Sequence, residues 1–224
     1  GPLELEQALC SVPLGMLVNA WFLFTWRIIP PYLPQLDLKI KLALMIVISL
    51  MCWAFAASGS YFFLLSNLED PFMCGVAALC VQLVVGVAAC WNNPPAPKGS
   101  NAVSLTTLAL RGGLAAAAIV VSVLLAQSGS SLLAGIASVF PAIFLTTMVS
   151  VWISQGEAVQ AGAVGPMMLG SGAVSAYALI AVVSFELSGP WMGALIAWFA
   201  SVVLCSVPTA LWMGLQRQKR VDMR

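Results

Sequence analysis

Seven apolar runs divide this chain so that every Lys and Arg can fall in the loops of one side of a membrane. A helix needs about 20 apolar residues to cross the hydrocarbon layer. Runs of that length cover residues 8–29, 40–65, 71–91, 104–127, 131–154, 157–185 and 190–214. Threaded through in turn, they leave Arg27, Lys39, Lys41, Lys98, Arg111, Arg217, Lys219, Arg220 and Arg224 on one side. The other side receives only Glu4, Glu6, Glu69, Asp70 and Glu186. Basic loops resist translocation during insertion, so the bias orients the protein. The sequence therefore predicts an all-α, polytopic transmembrane bundle of about seven spans. Its N-terminus lies outside and its C-terminus on the positive side, whether cytoplasmic, matrix or stromal.

Composition agrees with lipid as the main solvent. Apolar residues make up 61% of the 224 and charged ones 8%, against about 25% charged in soluble domains. A net charge of +1 gives no footing for nucleic acid. The only dense basic cluster is the tail at 215–224, whose natural partner right after a span is phospholipid headgroups. Glu4 and Glu6 oppose the basic start of a secretory signal, so the first run is read as a retained span.

The organisation follows from the loops. Residues 1–91 form an N-terminal three-helix membrane unit, and NNPPAPKGSNA within 92–103 is a Pro-rich connection. Residues 104–214 form a C-terminal four-helix unit. The PPYLPQ stretch after the first run is too rich in proline to stay helical. Asp70 and Pro71 read as the N-cap and first position of the third helix.

Candidate functional residues concentrate in SVFPAIFLTTMVSVWISQGEAVQAGAVGPMMLGSG, residues 138–172. Pro141 and Pro166 each fall about ten residues into a span, near mid-bilayer at roughly 1.5 Å per residue. Each removes one helical hydrogen bond, which frees the carbonyls of Ala137 and Gly162. In lipid such groups must find a neighbouring helix, hydroxyl, water or solute. Two broken helices at mid-depth are how many secondary transporters build their sites. The candidate path or helix break is thus Phe140, Pro141, Thr146, Thr147, Gly162, Gly165, Pro166 and Ser171. The structural alternative is a pair of kinked helices packed through the small-residue stripe Ala158, Gly162, Gly165 and Gly170. Arg111 and Glu157 are opposite charges at the ends of neighbouring spans on the basic side and form a candidate ion pair.

Catalysis finds little footing. The chain has no histidine, which removes imidazole ligation of haem, most zinc sites and His-based proton transfer. The six cysteines include no C-x-x-C pair and read as small apolar residues in the runs. No nucleotide or nucleophile motif is present. The expectation is a non-enzyme without metal or cofactor.

The run LLAGIASVFPAIFLTTMVSVWISQGE, and residues 104–214 with it, resembles the GlpM-like small bacterial inner-membrane proteins. That resemblance implies a four-helix membrane unit with a proline in a small-residue run. Two functions fit the sequence. One is a transporter- or channel-like permease for a small solute. The other is a non-catalytic structural subunit of a larger membrane complex. The expected partners are the lipid bilayer and either other membrane subunits or further copies of this chain.

Overall fold

The computed structural model describes residues 2–33, 36–66, 70–91, 93, 140–222 and, between these, 105, 106, 108, 109, 112, 113, 116, 117, 120, 124 and 127. Most of the described residues are helical, and there is no strand among them. The elements are α1 (Pro2–Ile28), a 3-10 turn (Pro30–Tyr32), α2 (Leu38–Ser66), α3 (Pro71–Trp91), α4 (Ala142–Gln155) and α5 (Glu157–Gly170). Then come α6 (Gly172–Ser201), a π turn (Val202–Ser206) and α7 (Val207–Asp222).

The boundaries have local causes. Pro30 and Pro31 end α1, because a ring nitrogen cannot donate into the helix. Asp70 caps α3 through Oδ1, which accepts from the Met73 amide at 3.0 Å, and Pro71 occupies the first helical position. Gly156, at φ +91°, separates α4 from α5. Ser171 separates α5 from α6.

α6 itself contains a sharp bend. Gly189 has φ +72° and ψ 171°, and Pro190 starts the second arm. Nine residues of straight helix would span about 13 Å. Instead, the Ser184 hydroxyl donates to the Gly193 carbonyl at 2.9 Å.

Four helical stretches are long and apolar enough to cross a membrane: Leu5–Tyr32, Leu38–Ser60, Pro71–Trp91 and Glu157–Gln216. The last has 60 residues, which would reach about 90 Å if straight, three times a hydrocarbon layer. The bend at Gly189 breaks it between the sixth and seventh expected runs. α4 is shorter, with 14 residues. In the fourth expected run, positions 105, 106, 108, 109, 112, 113, 116, 117, 120 and 124 are helical.

Large apolar side chains stand exposed along whole helices: Val47, Met51 and Phe55 on α2, and Trp191, Leu195 and Phe199 on α6. Patches on soluble monomers rarely exceed a few hundred Å², so apolar helices exposed in this way belong to a protein of membrane type.

The chain forms two compact units. The first comprises Gly1–Ala20, Leu64–Asn93 and Gly165–Arg224; the second comprises Trp21–Phe63 and Pro94–Val164. The sequence had divided the chain instead into consecutive pieces at 91 and 104.

In the first unit, α3 runs antiparallel to residues 165–179. A Cβ on Gly165 would meet the Ala89 carbonyl oxygen at 3.0 Å, and one on Gly86 would meet Leu169 Cα at 2.8 Å. Further along, Gly172 faces Leu83, and Gly75 faces both Leu179 and the Cys10 carbonyl of α1. Leucines of one helix thus fill notches left by glycines of the other, which lets the backbones approach closely. The buried face of α3 is Gly75, Ala78, Gln82, Gly86 and Ala89, small except for one glutamine.

In the second unit, α2 is antiparallel to residues 140–152. Lys41 Nζ stands 5.9 Å from the Trp152 ring, and Trp53 meets Phe140 edge to face at 5.4 Å. Lys41 and Trp53 are as far apart along the chain as Phe140 and Trp152, so a single register joins both contacts. α4 and α5 fold back on each other about Gly156, with Gln160 Nε2 donating to Met148 Sδ at 3.1 Å.

Candidate functional site

The predicted path residues divide between the two units. Phe140, Pro141, Thr146, Thr147 and Gly162 belong to the second unit, and Gly165, Pro166 and Ser171 to the first.

In the second unit, Phe140 and Pro141 are non-helical and α4 begins at Ala142. Proline disfavours helical geometry in the residue before it, so a helix start after Pro141 is expected locally. Pro141 sits at the N-cap with φ −80° and ψ 41°, and no side chain caps the helix. The first helical bond runs from the Leu145 amide to the Pro141 carbonyl, while the Ala142 amide turns back to Phe140. The amides of Ile143 and Phe144 come before any helical acceptor, as at every helix start.

The threonine hydroxyls are committed to the helix. Thr146 donates to the Ala142 carbonyl at 2.9 Å, and Thr147 donates to that of Ile143 at 2.6 Å. Beside this helix start lies Trp53, only 5% exposed, whose indole N–H has no hydrogen-bond partner. The sequence reading missed Trp53. The signal available was a tryptophan in the middle of the second apolar run rather than at its end.

The charged end of this unit is also built from α2, α4 and α5, with α1. Glu157 Oε2 accepts from Lys41 Nζ at 2.7 Å. Trp152 lies under the lysine and meets Trp26 of α1 edge to face at 5.7 Å. Trp26 is fully buried in this ring pair. The expected partner of Glu157, Arg111, lies outside the described residues. Two further buried polar atoms lack hydrogen-bond partners here, Trp26 Nε1 and Gln160 Oε1.

In the first unit, Pro166 lies inside α5, and Gly165 is pressed against α3. Gly162, whose carbonyl was expected to be freed by Pro166, is not without a partner. Ala137 lies outside the described residues. Gly170 faces open space, so the small-residue stripe is used at Gly165 and not at Gly170.

Ser171 joins a closed polar network. Its hydroxyl donates to the Met168 carbonyl at 2.8 Å and accepts from Gln82 Nε2 at 2.8 Å. The Ser175 hydroxyl donates to Gln82 Oε1 at 2.6 Å. Gln82 is completely buried and sits near the centre of the 21-residue α3. Sequence reasoning passed over it. The available signal was one glutamine at three- and four-residue spacing among Gly75, Ala78, Gly86 and Ala89.

An apolar groove of about 520 Å³ runs along α3, lined by Leu83, Val84, Val87, Ala88 and Trp91, and suits hydrocarbon rather than a polar solute. Among the described residues, no group of three or more Cys, Asp or Glu is placed to hold a metal ion. No family model matches the chain, and neither a curated protein nor a solved structure matches it.

Proposed function

We propose that this chain is a multi-pass integral membrane protein acting as a permease for a small solute, with a path that passes the start of α4. The observation that carries the reading is the non-helical, uncapped start of α4 at Phe140–Pro141. α4 has 14 residues, or about 21 Å, too short for a hydrocarbon layer of about 30 Å. Its far end is tied to the Lys41–Glu157 pair at a charged surface. Its uncapped start therefore falls within the bilayer, where backbone is left irregular only against protein or a hydrated cavity. Discontinuous helices that present a terminus at depth are a recurrent way to hold a solute.

The proposed orientation follows the basic residues. The ends of α1, α2, α4 and α5 that carry or adjoin Arg27, Lys41 and Glu157 face the positive side, and the α1 start and Asp70 face the other. The likeness of 104–214 to GlpM-like proteins belongs to the same proposal and concerns architecture only.

A structural subunit is the second reading. It is favoured by the closed Gln82–Ser171–Ser175 network, which has the form of interhelical glue. Reagent access separates the two. With the six native cysteines replaced, Phe140→Cys should react in proteoliposomes with a membrane-impermeant thiol reagent. A Phe140→Cys protein that stays unreacted from both faces, but reacts once denatured, would move the assignment to the subunit.

A further inference from the structure

We infer that the group held at the start of α4 is a hydrogen-bond-accepting anion, with the Trp53 indole N–H and the first-turn amides of α4 as its donors. This inference rests on the permease reading and adds the class of solute to it.

The buried indole of Trp53 and the first-turn amides of α4 are donors. The indole nitrogen carries a proton and no available lone pair, so it can only donate. The amides of Ile143 and Phe144 precede the first helical acceptor and can likewise only donate. The Thr146 and Thr147 hydroxyls spend their protons on the carbonyls of Ala142 and Ile143; their oxygens keep lone pairs but carry no charge to attract a cation. Pro141 contributes no side-chain cap. A helix start also carries about half a positive charge, and with no acidic side chain described beside it this is unopposed.

Burial gives these donors their weight. Trp53 is 95% removed from solvent by its 5% exposure and has no partner for its N–H. An indole normally finds a partner when buried, because leaving the donor unmet costs free energy. The ring is held against Phe140, the residue next to the Pro141 cap. Lys41 and Glu157 cannot serve as a counter-charge here. They lie about 18 Å away along α2 and α4, twelve residues from Trp53 and Phe140 by the shared register. A cation would meet donors and a positive helix end. An anion with an apolar body, such as a monocarboxylate, would meet matching donors and the aromatic rings of Trp53 and Phe140.

Protection from labelling provides the test. The full chain carrying Phe140→Cys on the cysteine-free background is reconstituted in proteoliposomes. Its labelling rate is measured with added sodium benzoate, sodium chloride or choline. Benzoate should slow labelling, choline should not, and Trp53→Phe should weaken the benzoate effect roughly tenfold, the value of one hydrogen bond to a charged acceptor. Equal protection by chloride and benzoate identifies an inorganic anion site and still supports the anion assignment. Stronger protection by benzoate identifies the carboxylate.

Labelling that no anion slows would overturn the inference and leave the permease reading standing. Protection by choline would overturn it as well. No labelling at all would remove both. Should Trp53→Phe fail to fold, the indole N–H resonance of Trp53 in the otherwise native chain supplies the second readout. It should shift on benzoate addition, and an unmoved resonance at saturating benzoate would reject the assignment.

Discussion

Lys41 Nζ stands 2.7 Å from Glu157 Oε2 and joins the start of α2 to the start of α5 across 116 residues of sequence. The side chains are 19% and 38% exposed, so water screens the pair only in part. Exposed pairs contribute about 0–1 kcal/mol, and a partly shielded one should lie at the upper end. Lys41→Gln and Glu157→Gln should each destabilise the protein in detergent. A double-mutant cycle should give a coupling of about 1 kcal/mol. Strictly additive losses would mean that the two side chains find separate partners in the membrane.

The glycines of the 165–179 contact predict opposite outcomes for one substitution. Gly86→Ala places its methyl 2.8 Å from Leu169 Cα and 3.1 Å from its nitrogen. Backbone atoms cannot turn aside, so α3 and α5 must separate, at a cost of about 1–3 kcal/mol. Gly170→Ala meets nothing within 4 Å in a helical position. It should stabilise the fold by about 0.5–1 kcal/mol through reduced chain entropy. Thermal unfolding in one detergent would compare the two. Equal shifts would refute the interlocked packing.

Gln82 offers a third test. Both ends of its amide are engaged, by Ser171 and Ser175. Gln82→Ala would leave two buried hydroxyls with fewer partners and open a cavity, costing about 2–4 kcal/mol. Gln82→Met combined with Ser175→Ala keeps the volume and removes the stranded hydroxyl. It should recover much of that loss, since hydrogen bonds between membrane helices average only about 0.6 kcal/mol. A double variant no more stable than Gln82→Ala would show that the amide itself is indispensable.

The helices were legible in the sequence wherever composition alone decides them. The runs at 8–29, 40–65 and 71–91 reappear as α1, α2 and α3, and the Asp70–Pro71 start of α3 follows from local chemistry. Their assembly was harder to read. Which face of an apolar helix is buried cannot come from hydropathy when all faces are apolar. It depended on small residues, and those of α3 were as visible as those of α5. Grouping by contact differs from the division into consecutive pieces for a related reason. Loops mark chain order, whereas compactness follows contact, and α3 packs against residues more than seventy positions further along the chain. At the candidate site, Pro141 accounts for the non-helical backbone at 140–141 where α4 starts. The prolines held no sign of Trp53, whose place depends on the α2–α4 register.

The bend in α6 gives the last prediction. Gly189 has φ +72° with ψ near 171°, a region that residues with a Cβ rarely enter. Gly189→Ala should therefore cost about 1–3 kcal/mol, although nothing crowds the position. Gly193→Ala should be harmful for a different reason, because its methyl would stand 2.7 Å from the Ser184 carbonyl oxygen. Ser184→Ala removes only the hydroxyl bond to Gly193 and should cost about 0.6 kcal/mol. Gly214→Ala, in open helical surroundings on α7, serves as the reference and should be neutral or mildly stabilising. The two mechanisms can be told apart by a second change. A backbone that has lost its left-handed turn cannot be relieved by trimming a neighbour. The crowding of Gly193→Ala by Phe185, 2.7 Å away, should ease in part with Phe185→Leu. If Gly189→Ala unfolds at the same temperature as Gly214→Ala, the reversal of the chain between Ser184 and Gly193 is not set by Gly189. The burden of the turn would then fall on Pro190 and the close pairing of the two arms.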